Sequence, residues 1–193
     1  MGEKAIFLDR DGVLNKEIDG VFDPSDLVLL PGVAKTIKEI NNSAFLAICI
    51  TNQPAVAKGF ISFDRLEDVH IELDKLLLSE GAYLDDLFFC PHHPDKGFKG
   101  EVRSLKKECD CRKPSPGMIF KAAEKYNIDL TNSFFIGDRM SDLLAARSAG
   151  LKSIIVHRNA HKEIQNDLID YSYVDFTFEN LSLAWQYIFM NFN

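Results

Sequence analysis

Long apolar runs are missing from this chain. None of its stretches approaches the roughly 20 consecutive apolar residues of a bilayer-spanning helix, so no membrane partner is expected. Positive charge is also in short supply. Against 29 Asp and Glu stand 22 Lys and Arg, and the formal net charge of -7 argues against general affinity for nucleic acid or anionic lipid. An anionic ligand therefore has to be held by a local cluster of cations. Cysteine is scarce at four residues, and with 46% hydrophobic composition 193 residues can bury a core without disulfides. Internal repeats and linker-like segments are lacking too, which makes one domain over 1–193 the expectation, with a monomer as the default. The start, MGEKAIFLDRDG, turns polar too early for a secretory signal, and Ile6 stands where myristoylation prefers serine or threonine; a cytoplasmic protein is expected.

What the chain does contain is organised around KAIFLDRDGVLN (4–15). The run Ala5, Ile6, Phe7, Leu8 is short, continuous and β-prone, as suits a strand covered on both faces in a parallel sheet. Asp9 arrives where that strand should leave the core. In extended chain, residues i and i+2 point the same way, so Asp9 and Asp11 face one pocket and Arg10 faces elsewhere. Two adjacent carboxylates repel unless a cation lies between them or one keeps a proton, and catalysis uses both remedies. A plain Asp-Gly turn at Asp11-Gly12 accounts for the same residues.

Further strands are expected at 45–50, 84–89, 133–136, 153–156 and 176–178. Helices are expected from Pro31-Gly32 to about Asn42, from an N-cap at Ser62 to about Glu80, and from a cap at Ser115 with Pro116 in the first turn. Two more run to Gly150 and onward from Leu181. Residues 13–30 carry turn signals and read as a flap or short hairpin. Strands alternating with helices imply an α/β fold with a doubly wound, Rossmann-like parallel sheet, whose site lies at the carboxyl ends of the strands.

Polar residues gather at those ends: Asp9 and Asp11, then Thr51 and Asn52, then Lys113 ahead of a helix, then Asp138 and Asp142. Each has a bland explanation as turn, cap or solvated side chain; together, at successive rim positions, they suggest a Mg²⁺-assisted phosphoryl site. Magnesium prefers oxygen ligands and bridges carboxylates to phosphate. At this point the chain resembles the haloacid dehalogenase superfamily of phosphohydrolases, whose four motifs match DRDGV (9–13), Thr51, Lys113 and GDRMSD (137–142). The resemblance implies that Asp9 is the nucleophile and forms an aspartyl phosphate, and that Asp11 is the general acid and base. It also implies that Mg²⁺ is held by the side chains of Asp9 and Asp138 and the backbone carbonyl of Asp11. Thr51, the Asn52 amide and Lys113 would bind the transferring phosphoryl oxygens. Asp142 is assigned to orienting its neighbours. Arg139 either adds a cation to the rim or faces solvent.

A second constellation is Cys90-Pro91-His92 with Cys109-Asp110-Cys111. Two short ligand pairs flanking a long loop, 90–111, are the pattern of a closed structural Zn²⁺ site. His93 competes with His92 for the fourth position. Cys49, inside an apolar strand, reads as an inert core residue. Within the superfamily, CPHHP followed by CDCRKPSPGM is similar to the capless branch that contains heptose bisphosphate phosphatases and histidinol-phosphatases, where a zinc loop stands in for a cap. The segment PSDLVLLPGV (24–33) and the loop length favour the former, whereas Arg139 departs from the lysine expected there. The resemblance thus implies a small phosphorylated sugar as substrate, with the C7 phosphate of D-glycero-D-manno-heptose 1,7-bisphosphate as the group removed. Histidinol phosphate hydrolysis is the enzymatic alternative, and an inactive zinc-stabilised binding module the alternative of another class. Arg112, between Cys111 and Lys113, is expected to grasp the sugar or its second phosphate; Lys106 and Lys107 read as solvated.

Overall fold

The apolar run after Gly2 becomes the central strand. In a computed structural model, which describes residues 2–157 and 169–192, β1 (Lys4–Leu8) pairs in parallel with β2 (Phe45–Asn52) on one side and β4 (Phe134–Gly137) on the other. Outside β2 lies β3 (Asp86–Cys90); beyond β4 come β5 (Lys152–Val156) and β6 (Phe176–Phe178), giving the order β3-β2-β1-β4-β5-β6 with every pairing parallel. The chain steps outward from β1 to β3 and then returns to start β4 beside β1. The site of an open α/β sheet is expected at that reversal, outside the carboxyl ends of the strands.

Helices cover both faces, as the all-parallel sheet requires. Alternate strand residues separate into two cores. Ile6, Leu8, Ala47, Cys49, Phe134 and Ile136 face α1 (Val33–Asn41), α2 (Phe63–Ser79) and α5 (Leu181–Phe192); Ala5, Phe7, Ile48, Ile50 and Phe135 face α3 (Gly117–Tyr126) and α4 (Met140–Ala149). Val33, Ile37 and Ile40 on α1 and Ala184, Trp185 and Ile188 on α5 form the buried stripes of their helices. On α2 Phe63 is exposed, and Leu66, Val69, Leu73 and Leu77 do the packing behind the Ser62 cap, whose hydroxyl accepts from the Arg65 amide at 3.1 Å.

Further boundaries differ from the sequence expectation: β3 starts at Asp86, β4 at Phe134 and β5 at Lys152. β2 continues to Asn52 because Phe89 and Cys90 of β3 pair with Thr51 and Asn52. Helix α3 starts at Gly117, and Ser115 does not cap it. Ser115 N–H instead donates to the Arg112 carbonyl at 2.8 Å and Gly117 N–H to the Asp110 carbonyl at 2.9 Å, so the end of the cysteine loop holds the residues that would have formed the first turn. Residues 13–30 form the hairpin-like flap, closed by Lys16 N–H to Val28 O at 2.8 Å and Leu30 N–H to Leu14 O at 3.0 Å.

Candidate active site

Asp9 leaves β1 with its amide still bonded to the Ile136 carbonyl of β4 at 3.0 Å, so the strand geometry fixes its position. Its carboxylate meets Lys113 Nζ at 2.7 Å, and the same ammonium contacts Asp142 at 2.7 Å and donates to the Ile50 carbonyl at 2.8 Å. All three side chains are buried. Burial would lower the Lys113 pKa, but the two carboxylates outweigh it and hold the ammonium charged. For Asp9, burial dominates: with Asp142 and Asp11 repelling its charge it is pushed up to about 7, against the opposing pull of Lys113. Asp138 is likewise raised well above the usual range by burial and by Asp9, Asp142 and Glu17. Asp142 Oδ2 accepts from the amides of Asp138 at 3.2 Å and Arg139 at 3.1 Å.

Asp11 is held by a clamp that the sequence did not disclose. Arg10, expected to face elsewhere, is fully buried and turns onto Asp11, with Nη2 at 2.9 Å from Oδ2 and 3.0 Å from Oδ1. The strict alternation lapses because β1 ends at Leu8 and the chain bends at Arg10. Asn15 Nδ2 donates to Asp11 Oδ1 at 2.9 Å, and Gln53 Nε2 reaches both Asp11 Oδ2 at 2.8 Å and Thr51 Oγ1 at 2.9 Å. Burial acts to raise the Asp11 pKa, yet Arg10, Asn15 and Gln53 together hold it below the usual carboxylate range. The signal for Gln53 was available, since it shares with Thr51 the i, i+2 relation used for the two aspartates.

His70 of α2 sits behind this clamp, and burial plus the Arg10 charge lower its pKa to about 4, against a weaker opposing effect of Asp11. Its folded pKa is therefore depressed below an unfolded value near 6.5, so the neutral ring favours the fold above that value and the advantage is lost as pH falls towards 4. Between pH 7.5 and 4.5 the wild type should lose about 2.5 kcal/mol more stability than His70→Gln, measured by urea unfolding at both pH values. Equal losses would remove His70 as a source of acid sensitivity.

These residues open onto a cavity of about 430 Å³ lined by Asp9, Asp11, Thr51, Asn52, Arg112, Lys113, Arg139 and Asp142, together with flap residues Glu17 to Phe22 and the 53–60 turn. Asn52 and Lys113 are joined reciprocally, Asn52 Nδ2 to Lys113 O and Lys113 N–H to Asn52 Oδ1, both at 3.0 Å. Arg139 does line the cavity, but its guanidinium is paired with Glu17 of the flap. Arg112 donates from Nη1 to the His92 carbonyl at 3.2 Å. The carboxylates suit a hard divalent cation. Oxygens of Asp9, Asp138 and Asp142 all lie within 4.8 Å of one another, and their mutual repulsion is what such a charge would relieve. Gly12, at φ 85°, approaches so closely that a Cβ there would collide with Asp138 Oδ2. The turn after Asp11 is thus shaped around the Asp138 carboxylate.

The cysteine pairs also meet. Sγ of Cys111 lies 3.1 Å from that of Cys90 and 3.3 Å from that of Cys109, with His92 Nδ1 3.3 Å from Cys111 and 3.6 Å from Cys90. These separations are well beyond a disulfide bond and close to the edges of a tetrahedron around an ion with ligands at about 2.0–2.3 Å. His93 points away: its amide donates to Leu105 O at 3.2 Å, and its ring packs edge-on against Phe98 at 5.9 Å. Cys49 is buried in β2, away from the cluster, and burial pushes its thiol pKa far up.

Comparison with known proteins agrees with this geometry. Residues 110–182 match a family model described as HAD-hyrolase-like. The chain is 37% identical to a D-glycero-beta-D-manno-heptose-1,7-bisphosphate 7-phosphatase of Haemophilus ducreyi, over 91% of this chain and 97% of the relative. It is 37% identical to the corresponding alpha-anomer enzyme of Photorhabdus laumondii, over 82% and 84% of the two chains. A crystal structure of the D,D-heptose 1,7-bisphosphate phosphatase of B. bronchiseptica, complexed with magnesium and phosphate, superposes with a TM-score of 0.80 at 30% identity, covering 97% of this chain and 98% of the other. On fold, site and relatives together, the chain belongs to the heptose-1,7-bisphosphate 7-phosphatase family of the haloacid dehalogenase superfamily.

Proposed function

We propose that the protein is a phosphoric monoester hydrolase that removes the C7 phosphate of D-glycero-D-manno-heptose 1,7-bisphosphate. The observation that carries this reading is the convergence of Asp9, Asp11, Thr51, Lys113 and Asp142 on one cavity in a member of that family. In this reading Asp9 Oδ attacks phosphorus in line, the bond to the sugar oxygen breaks, and an aspartyl phosphate forms. Lys113 and Thr51 bind the transferring oxygens, and Lys113, anchored by Asp142, keeps its charge while that of Asp9 is transferred. Asp11 has to give a proton to the leaving oxygen and later take one from water. Its ionised, Arg10-clamped state suits the second task; the first requires it to leave Arg10 and Gln53 for the sugar oxygen carrying a proton. A Mg²⁺ ion held by Asp9, Asp138 and the Asp11 carbonyl would supply charge neutralisation at the phosphoryl oxygens. Zn²⁺ on Cys90, His92, Cys109 and Cys111 would be structural, since four protein ligands leave no position for water.

The same reading has the protein act as a cytoplasmic monomer, one phosphatase domain over 1–193 with a small phosphorylated sugar as its partner. All the groups named belong to one chain, and no helix among the described residues is long and apolar enough to cross a membrane. The inactive binding module is disfavoured by a complete set of catalytic groups. Comparative Mg²⁺-dependent kinetics test the substrate: kcat/KM for heptose bisphosphate should exceed that for histidinol phosphate by at least about 100-fold, a difference of ~2.7 kcal/mol in transition-state binding. Faster turnover of histidinol phosphate would overturn the choice.

A further inference from the structure

Asp11 is the carboxylate that has to change partners during turnover, and its surroundings differ in what they can release. Its Oδ1 receives Arg10 Nε at 3.2 Å, Arg10 Nη2 at 3.0 Å and Asn15 Nδ2 at 2.9 Å; its Oδ2 receives Arg10 Nη2 at 2.9 Å and Gln53 Nε2 at 2.8 Å. An ionised carboxylate offers about four lone-pair sites, so this one is fully occupied and must give up a donor before it can handle a proton. Gln53 is the donor it can give up. Its Nε2 also donates to Thr51 Oγ1 at 2.9 Å and keeps that partner when Oδ2 lets go. Asn15 is fixed by its backbone, whose amide donates to the Arg10 carbonyl at 3.0 Å and whose carbonyl accepts from Gly12 N–H at 2.9 Å.

Arg10 has no such alternative. Its side chain is fully buried, and among the described residues no carboxylate but that of Asp11 lies within 4.0 Å of its guanidinium, whose Nη1 is buried with no hydrogen-bond partner at all. Asp11, by contrast, keeps 25% of its side-chain surface open and lines the cavity. An excursion of Asp11 towards the sugar oxygen therefore leaves a buried guanidinium without its counter-charge, which is far more unfavourable than the loss of one neutral hydrogen bond. No other cation competes to hold Asp11 in the cavity, since Lys113 is committed to Asp9 and Asp142 and Arg139 to Glu17.

We infer that Arg10 is the positioning residue of the second half-reaction: it draws Asp11 back to the cavity wall after phosphoryl transfer and holds Oδ1, so that Oδ2, released by Gln53, takes the proton of the attacking water. In that step the water oxygen bonds to phosphorus, the bond from phosphorus to Asp9 breaks with its electron pair returning to the carboxylate, and the proton passes to Oδ2. This rests on the reading of Asp9 as nucleophile and Asp11 as acid and base. p-Nitrophenyl phosphate with Mg²⁺ in excess isolates the step, because its leaving group departs without a proton. Rapid quenching, with the intact mass of the protein as readout, gives the rates at which phosphoenzyme forms and is lost. In Arg10→Met the loss should slow by at least about tenfold more than the formation, so that phosphoenzyme accumulates; in Asp11→Asn the excess should reach about 100-fold. Arg10→Lys keeps the charge without the planar fork and should fall between Arg10→Met and wild type, and it carries the test if Arg10→Met does not fold. A merely structural role slows both steps alike. Equal slowing in the folded Arg10 variants, with phosphoenzyme accumulating in Asp11→Asn, overturns the assignment of Arg10 alone. Absence of phosphoenzyme from both the wild type and Asp11→Asn overturns the reading of the site, and the role of Arg10 with it.

Discussion

Asp9→Asn is expected to lower phosphate release by at least about four orders of magnitude, because an amide cannot form the aspartyl phosphate and no other group can take over the nucleophile's place. Asp11 is turned onto Arg10, Asn15 and Gln53, and Asp142 is spent on Lys113 and two backbone amides. The substitution should leave the fold intact. Asp9 at neutral pH is a buried carboxylate crowded by Asp11, Asp138 and Asp142, so the neutral isostere removes repulsion, while Lys113 keeps its contacts to Asp142 and the Ile50 carbonyl. A melting curve at or above that of the wild type, together with the loss of single-turnover phosphate release, is the expected pair of results. Undiminished release would sink the nucleophile assignment.

What the sequence disclosed of this site and what it withheld follow from how each feature is encoded. Ala5–Leu8, Phe45–Ile50 and Ser133–Ile136 could be read as strands because both of their faces are buried, which demands uninterrupted apolar residues. Once they are parallel, their polar ends must share one rim, and Asp9, Thr51 and Asp138 follow from that single deduction. Side-chain direction beyond the strand ends is set by tertiary contacts. Arg10 turns back onto its neighbour where the chain bends beyond the end of β1, and Arg139 pairs with Glu17 of a flap whose course no periodicity records. Lys106 looked solvated beside Lys107 because its partner ring, Phe98, is eight residues away in a loop without strands or α-helices. The choice of His92 over His93 follows from the backbone leaving β3 at Cys90, which directs one ring to the sulfurs and the next to Phe98.

The cysteine cluster leads to the second large effect. Purified protein should contain about one zinc per chain, and Cys109→Ser should lower the melting temperature by at least about 10 °C, the equivalent of a few kcal/mol in a chain of this size. The reason is local. Between β3 and α3 the chain runs 26 residues, with a single short turn of helix at Arg103–Leu105, and the cluster joins its two ends. Buried thiols crowded at 3.1–3.5 Å raise the pKa of Cys90 and Cys111, first through burial, which a bound cation would reverse by favouring the thiolates. Activity should divide by substrate. Lys113 has its own anchors in Asn52, Asp9 and Asp142, so the phosphoryl end can persist; Arg112, expected to grasp the sugar or its second phosphate, hangs on the His92 carbonyl. With Mg²⁺ supplied in excess, Cys109→Ser should therefore lose more of its kcat/KM on the bisphosphorylated sugar than on p-nitrophenyl phosphate. A zinc-free wild-type protein that melts at the same temperature as the zinc-bound form would refute the structural role.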